Sequence, residues 1–460
     1  MSKNYLHNIQ LFLLIFFSSS LSYAQNDSLN LQKYWHYRER LNYFVISGSL
    51  KGESQVAGIR NRFDYGADDL NFGQHSIYFG YYIGMLATEY KLLNDAGNNK
   101  ALQTKHELKL ALNQYVNFLD KTECLVFKNM KDCFDGFFVR ECVSCDFLDY
   151  ENRRIYFNQN LKPSDKWNPE KNSFGNLAKG HPGFVTKISE CDSIPKAFSQ
   201  DEAIGLLFGL AIVYRCMPDS SEEKSLSKEI ALNIVNYIRN SSRIYGHTMS
   251  MRWNVFKPNG KKLKASEGGL AWFYAHGFMR AANFFDPESD NLWKKITRYP
   301  QELFFQFGQF FPNPNADNTT MITTLAVVGD SWRAVIPVIG LICRMNTTYF
   351  GIKAKTKKQD WDSFYALSWN MIHNKNKKME DRVKKAFLQL NEAPYDGPYN
   401  YGYENNPKGS GWSSSYKWHH KKKTQNGEAI GIEGNYNGLD YMLLHNIYCI
   451  VKASQNLKKE

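Results

Sequence analysis

The feature that most constrains the fold of this chain is a repeated pattern in which a polar loop runs into a long apolar helix. The clearest example is residues 199–202, Ser-Gln-Asp-Glu, before the apolar run 203–210. Residues 68–75 before 76–92 and residues 435–440 before 441–451 repeat it. Apolar residues recur at helical spacing, and no long alternating pattern indicates strands. The pattern predicts an all-α chain of helical hairpins.

The predicted hairpins have short turns, and long polar loops join one hairpin to the next. Gly80 and Gly84 lie one turn apart in a helix predicted over 74–93 and favour close helix packing. Residues 136–140 are the best candidate for a short strand. In a ring of hairpins, every second connection lies on the same rim, so the long loops are expected on one rim. The predicted helices are 31–47, 74–93, 100–119, 200–215, 222–239, 268–285, 291–307, 321–345 (broken near 329 or 337), 359–373, 378–390 and 440–454.

The stretches 73–92, 200–215, 268–285 and 438–451 resemble the six-hairpin, (α/α)6-toroid proteins of carbohydrate metabolism. The loop 135–140 resembles one found in exported Bacteroidetes proteins of that type. The resemblance implies an (α/α)6-type toroid with long loops on one rim. It also implies a protein related to glycoside hydrolases, unsaturated-uronate hydrolases or polysaccharide lyases. The resemblance assigns no catalytic residue in this chain, and a shared fold alone does not determine function.

The amino terminus has the features of a signal peptide, namely Lys3, a short apolar run over 11–17 and Ser22-Tyr23-Ala24 as a cleavage site. We therefore expect a signal peptide over 1–24, a single domain over 25–460, and a periplasmic or secreted protein without a transmembrane segment. A two-domain chain that divides within 120–195 is the alternative.

Charge and cysteines agree with export. The net charge of +12 attracts anions. Because an exported protein is not expected to meet nucleic acid, an acidic polysaccharide is the better candidate for an anionic partner. Alternatively, the lysine runs are only solvated surface and the net charge indicates no partner. Of eight cysteines, five lie close together in a loop-rich stretch, where structural disulfides are expected. Cys216, Cys343 and Cys449 lie in helical patterns and are expected as buried thiols.

Three carboxyl groups are candidates for glycoside hydrolysis, which uses one carboxyl group as acid and another as base or nucleophile. Asp201 is the first choice, because it opens an apolar helix whose free N–H groups favour a carboxylate and hence a base. Ordinary capping, with Ser199 and Glu202 at capping-box spacing, explains the same residues. Asp135 and Glu433 lie in predicted rim loops.

Candidate substrate-binding residues lie in the same loops. Arg140 suits a uronate or sulfate group, unless it forms a loop salt bridge. Asp69 and His75 precede the second apolar helix, where capping is the alternative role. Aromatic side chains stack on sugar rings or else pack their loop against the core. The aromatic candidates are Trp253, Tyr403, Trp412, Trp418 and Tyr436.

The sequence favours an exported carbohydrate-active protein, and a glycoside hydrolase that cleaves a poly- or oligosaccharide is the first interpretation. A non-catalytic glycan-binding or cell-envelope protein and a polysaccharide lyase are the alternatives. No metal or cofactor is expected, because no spaced ligand set, phosphate loop or G-x-S-x-G motif occurs.

Overall fold

Helices dominate the part of the chain that the structure describes. The structure is a computed structural model, and it describes residues 27–39, 41, 44–47, 54–56, 59–61, 70–71, 75–120, 133–138, 199–240, 275–287, 321, 324–330, 362–375, 379–393, 399–400 and 434–456. The helices are α1 (27–39), α2 (His75–Asp95), α3 (Lys100–Gln114), α4 (Gln200–Cys216), α5 (Glu222–Asn240), α6 (Ala275–Phe285), α7 (Asp362–Ile372), α8 (Glu380–Glu392) and α9 (Leu439–Asn456).

The boundaries of most described helices agree with the sequence prediction. Helices α4 and α5 differ from it by one residue at their carboxyl ends. A short helical segment at 324–328 ends at Gly329 and Asp330, one of the two predicted breaks. The prediction of a helix over 31–47 is wrong beyond residue 39, because Val45–Ser47 forms a strand that pairs with Ser54–Val56. The predicted helix 291–307 lies outside the described residues.

Glycines set the distance between α2 and α4. Gly80 lies against the backbone of Gly205 and Gly209, so closely that a Cβ atom on Gly80 would overlap the Gly205 carbonyl group. A Cβ atom on Gly205 would lie 2.9 Å from the Cα atom of Ile77. The close packing predicted from Gly80 and Gly84 is confirmed, since only glycine lets two helix backbones approach this far.

The same contacts give the relative directions of the helices. Ile77 contacts Gly205, and further along both helices Gly84 contacts Gly209 and Ile212, so α2 and α4 are parallel. Asn446 of α9 donates to Thr88 Oγ1 of α2 (3.2 Å), and the strands that precede these two helices belong to one sheet. Helices α2, α4 and α9 therefore begin at the same end of the molecule, which we call the front end.

Each of the first two hairpins turns at the opposite end. Thr104 of α3 donates to Glu89 (2.7 Å) and Tyr82 donates to Glu107 (2.5 Å), so α3 runs antiparallel to α2. The short turns 96–99 and 217–221 follow α2 and α4 at the end away from the front end. The predicted alternation of short turns and long connections is thus present in both hairpins.

Helices α2, α4, α7 and α9 contact one another in a closed cycle, α2 with α4, α4 with α7, α7 with α9, and α9 with α2. Helices α3, α5 and α8 each pack on the helix that precedes them in the chain. Phe208 of α4 contacts Tyr81 of α2 (ring centroids 5.9 Å apart) and Phe364 of α7 (5.8 Å). These three buried rings fill the space between three helices of the cycle.

Short strands join the two ends of the chain at the front end. A two-stranded sheet pairs β1 (Val45–Ser47) with β2 (Ser54–Val56). A four-stranded antiparallel sheet has the order β4-β3-β6-β5. Its strands are β3 (Ile59–Asn61), β4 (Leu70–Asn71), β5 (Tyr399–Asn400) and β6 (Gly434–Tyr436). Parts of the loops before α2 and α9 therefore lie side by side.

A buried ion-pair network fastens α1 to the first hairpin. Arg38 donates to Glu89 (3.0 Å) and to Glu107, while Tyr34 donates to Glu89 (2.5 Å). Tyr34 and Glu89 are buried and Arg38 is 14% exposed. Arg38 is thus the shared cation of one carboxylate on α2 and one on α3, and its loss would leave the buried Glu89 without that partner.

Lys33 joins α1 to the carboxyl end of α8. Its Nζ atom donates to the carbonyl oxygens of Leu390 (2.8 Å) and Ala393 (2.8 Å). Lys33→Met is expected to lower the free energy of unfolding by about 2 kcal/mol, because buried carbonyl groups lose a charged donor. Urea unfolding measures this change. Lys91→Met, which removes an exposed pair with Asp95, is the control and is expected to change stability by less than about 0.5 kcal/mol. Equal effects of the two variants would contradict the prediction.

None of the helices in the described ranges combines the length and the apolar character needed to cross a bilayer.

Candidate functional site

Asp201 lies at the front end, in the first turn of α4, and is partly exposed. Its Oδ1 atom accepts hydrogen bonds from the Ser199 hydroxyl group and from the backbone N–H of Glu202 (3.1 Å). Residues 201 and 208 are seven apart and share a helix face. Since Phe208 points between α2 and α7, Asp201 lies on the side of α4 that faces the interior of the helix cycle.

The capping alternative is wrong for the Ser199 side chain. Ser199 occupies the N-cap position of α4, but its hydroxyl group forms no cap hydrogen bond to the helix backbone and donates to Asp201 instead. Glu202, the other residue at capping-box spacing, is fully buried. Asp201 is therefore held in place by Ser199 and by the backbone, while part of its surface remains open to solvent.

Asp440 is a second front-end carboxyl group, and the sequence analysis did not identify it. It lies in the first turn of α9 and is fully buried. The backbone N–H of Tyr441 donates to its Oδ1 atom (2.9 Å), whereas no described residue donates to Oδ2. Burial raises the pKa of Asp440 to about 8. Hydrogen bonds from the backbone N–H groups of Tyr441 and of Asp440 itself lower the pKa, but burial outweighs them.

Asp135 does not lie in a strand. Its Oδ1 atom accepts a hydrogen bond from the backbone N–H of Phe137 (3.0 Å), and Gly136 has a φ of +95°. This turn conformation is incompatible with the predicted strand in its described part, 136–138. Gly136 packs on the backbone of Asn233 in α5, and the Asn233 side chain donates to the carbonyl oxygen of Phe134 (3.0 Å). The loop therefore packs on α5.

The carboxyl group of Asp135 lies near that of Asp120. Asp120 ends a single π-helical turn, Tyr115–Asp120, that continues α3 to the front end. Burial raises the pKa of Asp120 to about 8, and the charge of Asp135 contributes to this rise. Hydrogen bonds from Tyr115 and from the backbone of Gly136 and Asp135 act in the opposite direction but are outweighed. Asp135 thus belongs to a carboxyl pair between α3 and α5, whereas Asp201 lies on the interior side of α4.

The remaining predicted site residues are described in part or not at all. His75 is the first residue of α2, and Tyr436 ends β6, so the structure gives their backbone positions. Asp69 directly precedes β4, which lies in the same sheet as β6. The candidates outside the described residues are Asp69 itself, Arg140, Trp253, Tyr403, Trp412, Trp418 and Glu433.

Asp330 has a structural role. It accepts hydrogen bonds from Trp369 Nε1 (2.9 Å) and Lys375 Nζ (3.0 Å). Burial opposes ionisation of Asp330, but Lys375, Trp369 and the nearby His373 outweigh it and lower its pKa. The cluster lies at the end of α7, where it fastens the turn at 329–330 to the α7–α8 hairpin.

Two of the three described cysteines agree with prediction. Cys133 is disulfide-bonded, as expected for the loop-rich group, and Cys216 is a buried free thiol in a helix. Cys449 is a free thiol in a helix too, but it is half-buried rather than buried. Within the described ranges no group of three or more His, Cys, Asp or Glu side chains is placed to hold a metal ion.

Comparison of the chain with protein-family models, with curated proteins and with solved structures finds no match.

Proposed function

We propose that this protein is an exported carbohydrate-active protein, in the first instance a glycoside hydrolase that cleaves a poly- or oligosaccharide at the front end. The observation that carries the proposal is the parallel arrangement of α2, α4 and α9, which all begin at the front end. Asp201 lies in the first turn of α4 at this end. Pairing of β3 with β6 brings two long polar loops to this same end. A carboxylate at the end of the molecule where the described parts of two polar loops meet suits binding of a sugar polymer.

An (α/α)6-type toroid is the architecture that we propose for the whole chain. The closed contact cycle of α2, α4, α7 and α9, with α3, α5 and α8 each packed on the preceding helix, supports it. The packing of Lys33 and Tyr441 between the first and last parts of the chain supports a closed arrangement too. The predicted helices outside the described residues would supply the remaining hairpins.

Export of the protein is proposed from the signal-peptide pattern over 1–24. The disulfide at Cys133 supports this, because disulfides persist in oxidising compartments. The net charge of +12 favours an anionic ligand, so uronic or sulfated oligosaccharides are preferred over neutral ones.

The proposed role of Asp201 is that of the base that activates water. The group is partly exposed, and two donors fix its orientation. Hydrogen bonds donated to a carboxyl oxygen favour its ionised form, which is the form that takes a proton from water. Arg140 and the loop aromatics of the sequence analysis remain the proposed substrate-binding residues.

Asp201→Asn is expected to lower turnover at least about 100-fold, because the amide does not accept the proton of water. A thermal-shift screen of the mature chain against neutral, uronic and sulfated oligosaccharides first identifies the substrate class. Product release from the oligosaccharide that binds is then measured for both proteins. Asp219→Asn is the matched control, since Asp219 is an exposed aspartate in the turn after α4, away from the front end.

A glycan-binding protein without turnover is the second candidate. The observation that favours it is that Ser199 and Glu202, which donate to Asp201, belong to the start of its own helix, an arrangement that serves stability as well as catalysis. A thermal shift with an oligosaccharide and no product from the wild-type chain would support this candidate. An unsaturated product would instead identify a polysaccharide lyase. The hydrolase proposal fails if wild-type protein binds no glycan, or if Asp201→Asn retains full turnover.

A further inference from the structure

Asp440 combines two features that are unfavourable for stability. Its side chain is fully buried at the start of an 18-residue helix, and within the described part of the chain its Oδ2 atom has no hydrogen-bond donor or acceptor. A buried polar atom without a partner lowers the stability of the folded protein. Asparagine, serine or leucine at position 440 would place no carboxyl group in the interior. The presence of an aspartate there therefore indicates a role beyond folding.

The orientation of α9 separates Asp440 from the residues that pack this helix in place. Tyr441 and His445 stack on Tyr37 and Tyr34 of α1 (ring centroids 4.6 and 4.7 Å apart). Asn446 contacts α2. At about 100° per residue, Asp440 lies about 100° around the helix from Tyr441 and about 120° from Asn446. It therefore faces neither α1 nor α2. Tyr448, which packs on Phe387 of α8, lies about 80° around the helix from Asp440. The face that carries Asp440 is the one left for α7 and the interior.

Asp440 and Asp201 occupy equivalent places in their helices. Each is the second residue of its helix, Asp201 in α4 and Asp440 in α9. Both helices flank α2 and begin at the front end. One carboxyl group is partly exposed and accepts two hydrogen bonds, whereas the other is buried with one oxygen atom unbonded. Two carboxyl groups in contrasting environments are what acid–base hydrolysis of a glycoside requires.

We propose that Asp440 is the proton donor of this site, which contacts the glycosidic oxygen through Oδ2. The inference rests on the proposed hydrolase function and adds a residue to it. Oδ2 has no hydrogen-bond partner in the described part of the chain, so a glycosidic oxygen that displaces the atoms packed over it breaks no hydrogen bond there. Burial also favours the protonated form that a donor needs at neutral pH.

The step balances without a further reactant. The proton of Asp440 moves to the glycosidic oxygen as the bond from that oxygen to the anomeric carbon breaks, and the leaving group departs as a neutral alcohol. Water adds to the anomeric carbon and gives one proton to Asp201. Asp440 is left as a carboxylate and Asp201 as an acid. Return of one proton to Asp440 through solvent restores the site, and the net reaction consumes one water molecule.

The leaving group provides the test. Aryl glycosides of the sugar that the wild type releases are prepared with 2,4-dinitrophenol, which leaves without protonation, and with 4-methoxyphenol, which needs it. Asp440→Asn is expected to lose at least about 100-fold of its kcat/KM on the 4-methoxyphenyl glycoside and less than about tenfold on the 2,4-dinitrophenyl glycoside. Asp440→Glu is expected to recover part of the lost activity on the 4-methoxyphenyl glycoside.

Other outcomes separate the two proposals. A wild-type chain that cleaves no glycoside overturns the proposed hydrolase and the donor together. A wild-type chain that is active, with both glycosides slowed equally in Asp440→Asn, overturns only the role of Asp440. Far-UV circular dichroism and urea unfolding check folding. A structural role for Asp440 predicts a less stable Asp440→Asn protein, whereas the donor role predicts a protein at least as stable as wild type.

Discussion

Gly80→Ala is expected to lower the free energy of unfolding by about 3 kcal/mol or more. The added methyl group would overlap the carbonyl oxygen of Gly205, which is backbone and cannot rotate away as a side chain does. Helices α2 and α4 would have to separate along their whole contact, and the packing of Tyr81 on Phe208 would be lost with it. Urea unfolding followed by circular dichroism measures the change.

Gly84→Ala is the matched control, one turn further along the same helix. Its methyl group would lie 3.2 Å from the Cδ1 atom of Ile212, the end of a flexible side chain. Alanine is also favoured over glycine in a helix by about 1 kcal/mol. The control is expected to lie within about 1 kcal/mol of wild type. If both variants have the same stability, α2 and α4 do not approach through Gly80.

Local sequence patterns were sufficient to predict the helical hairpins. The apolar runs, the glycine pair of α2 and the turn after Cys216 depend on residues close together in the chain, and the structure agrees with each of them. The strands are different. Pairing of Ile59–Asn61 with Gly434–Tyr436 joins opposite ends of the chain and is set by tertiary contacts, so no local pattern contains it.

The burial of the front-end carboxyl groups could not be predicted from local sequence patterns either. Asp201 and Asp440 both open apolar helices, and the sequence gives them the same pattern. Only packing makes one partly exposed and the other buried. Asp120 was missed for a similar reason, because its location depends on a π-helical turn and on a loop that folds back with Asp135. Comparing the first turns of all predicted helices would have found Asp440.

Stability is expected to fall as the pH rises from 7 to 8. Burial raises the pKa values of Asp120 and Asp440 to about 8 in the folded protein, whereas unfolded aspartate titrates near 3.8. Between these values the folded state binds up to two more protons than the unfolded state, so the stability that these acids add is present below pH 3.8 and is lost as the pH rises through 8. From pH 7 to 8 the loss is about 2 kcal/mol for both groups together.

Other shifted groups act outside this interval. Burial lowers the pKa of His445 to about 4, so folding disfavours its protonated form, and this lowers stability mainly when the pH falls below about 6.5, the unfolded value. His373 shifts in the same direction, also through burial. Lys33, with a pKa lowered to about 8 by burial, titrates in the same interval with the opposite sign, because the folded state loses a proton that the unfolded state keeps, and it raises stability by about 0.3 kcal/mol from pH 7 to 8. The two buried acids therefore dominate the change in stability between pH 7 and 8.

Urea unfolding at pH 7.0, 7.5 and 8.0 measures the slope for the wild type, for Asp120→Asn, for Asp440→Asn and for the double variant. Each single variant is expected to remove about 1 kcal/mol of the fall in stability between pH 7 and 8, and the double variant to abolish the fall, because a neutral amide binds no proton in either state. Asp219→Asn is the control and should keep the wild-type slope, since Lys224 lowers the pKa of Asp219 and the group is ionised in both states throughout the interval.

A double variant with the wild-type slope would mean that both acids are already ionised in the folded protein at pH 7. In that case Asp440 could not serve as the proton donor at neutral pH, so the stability measurement also tests the catalytic assignment without any substrate.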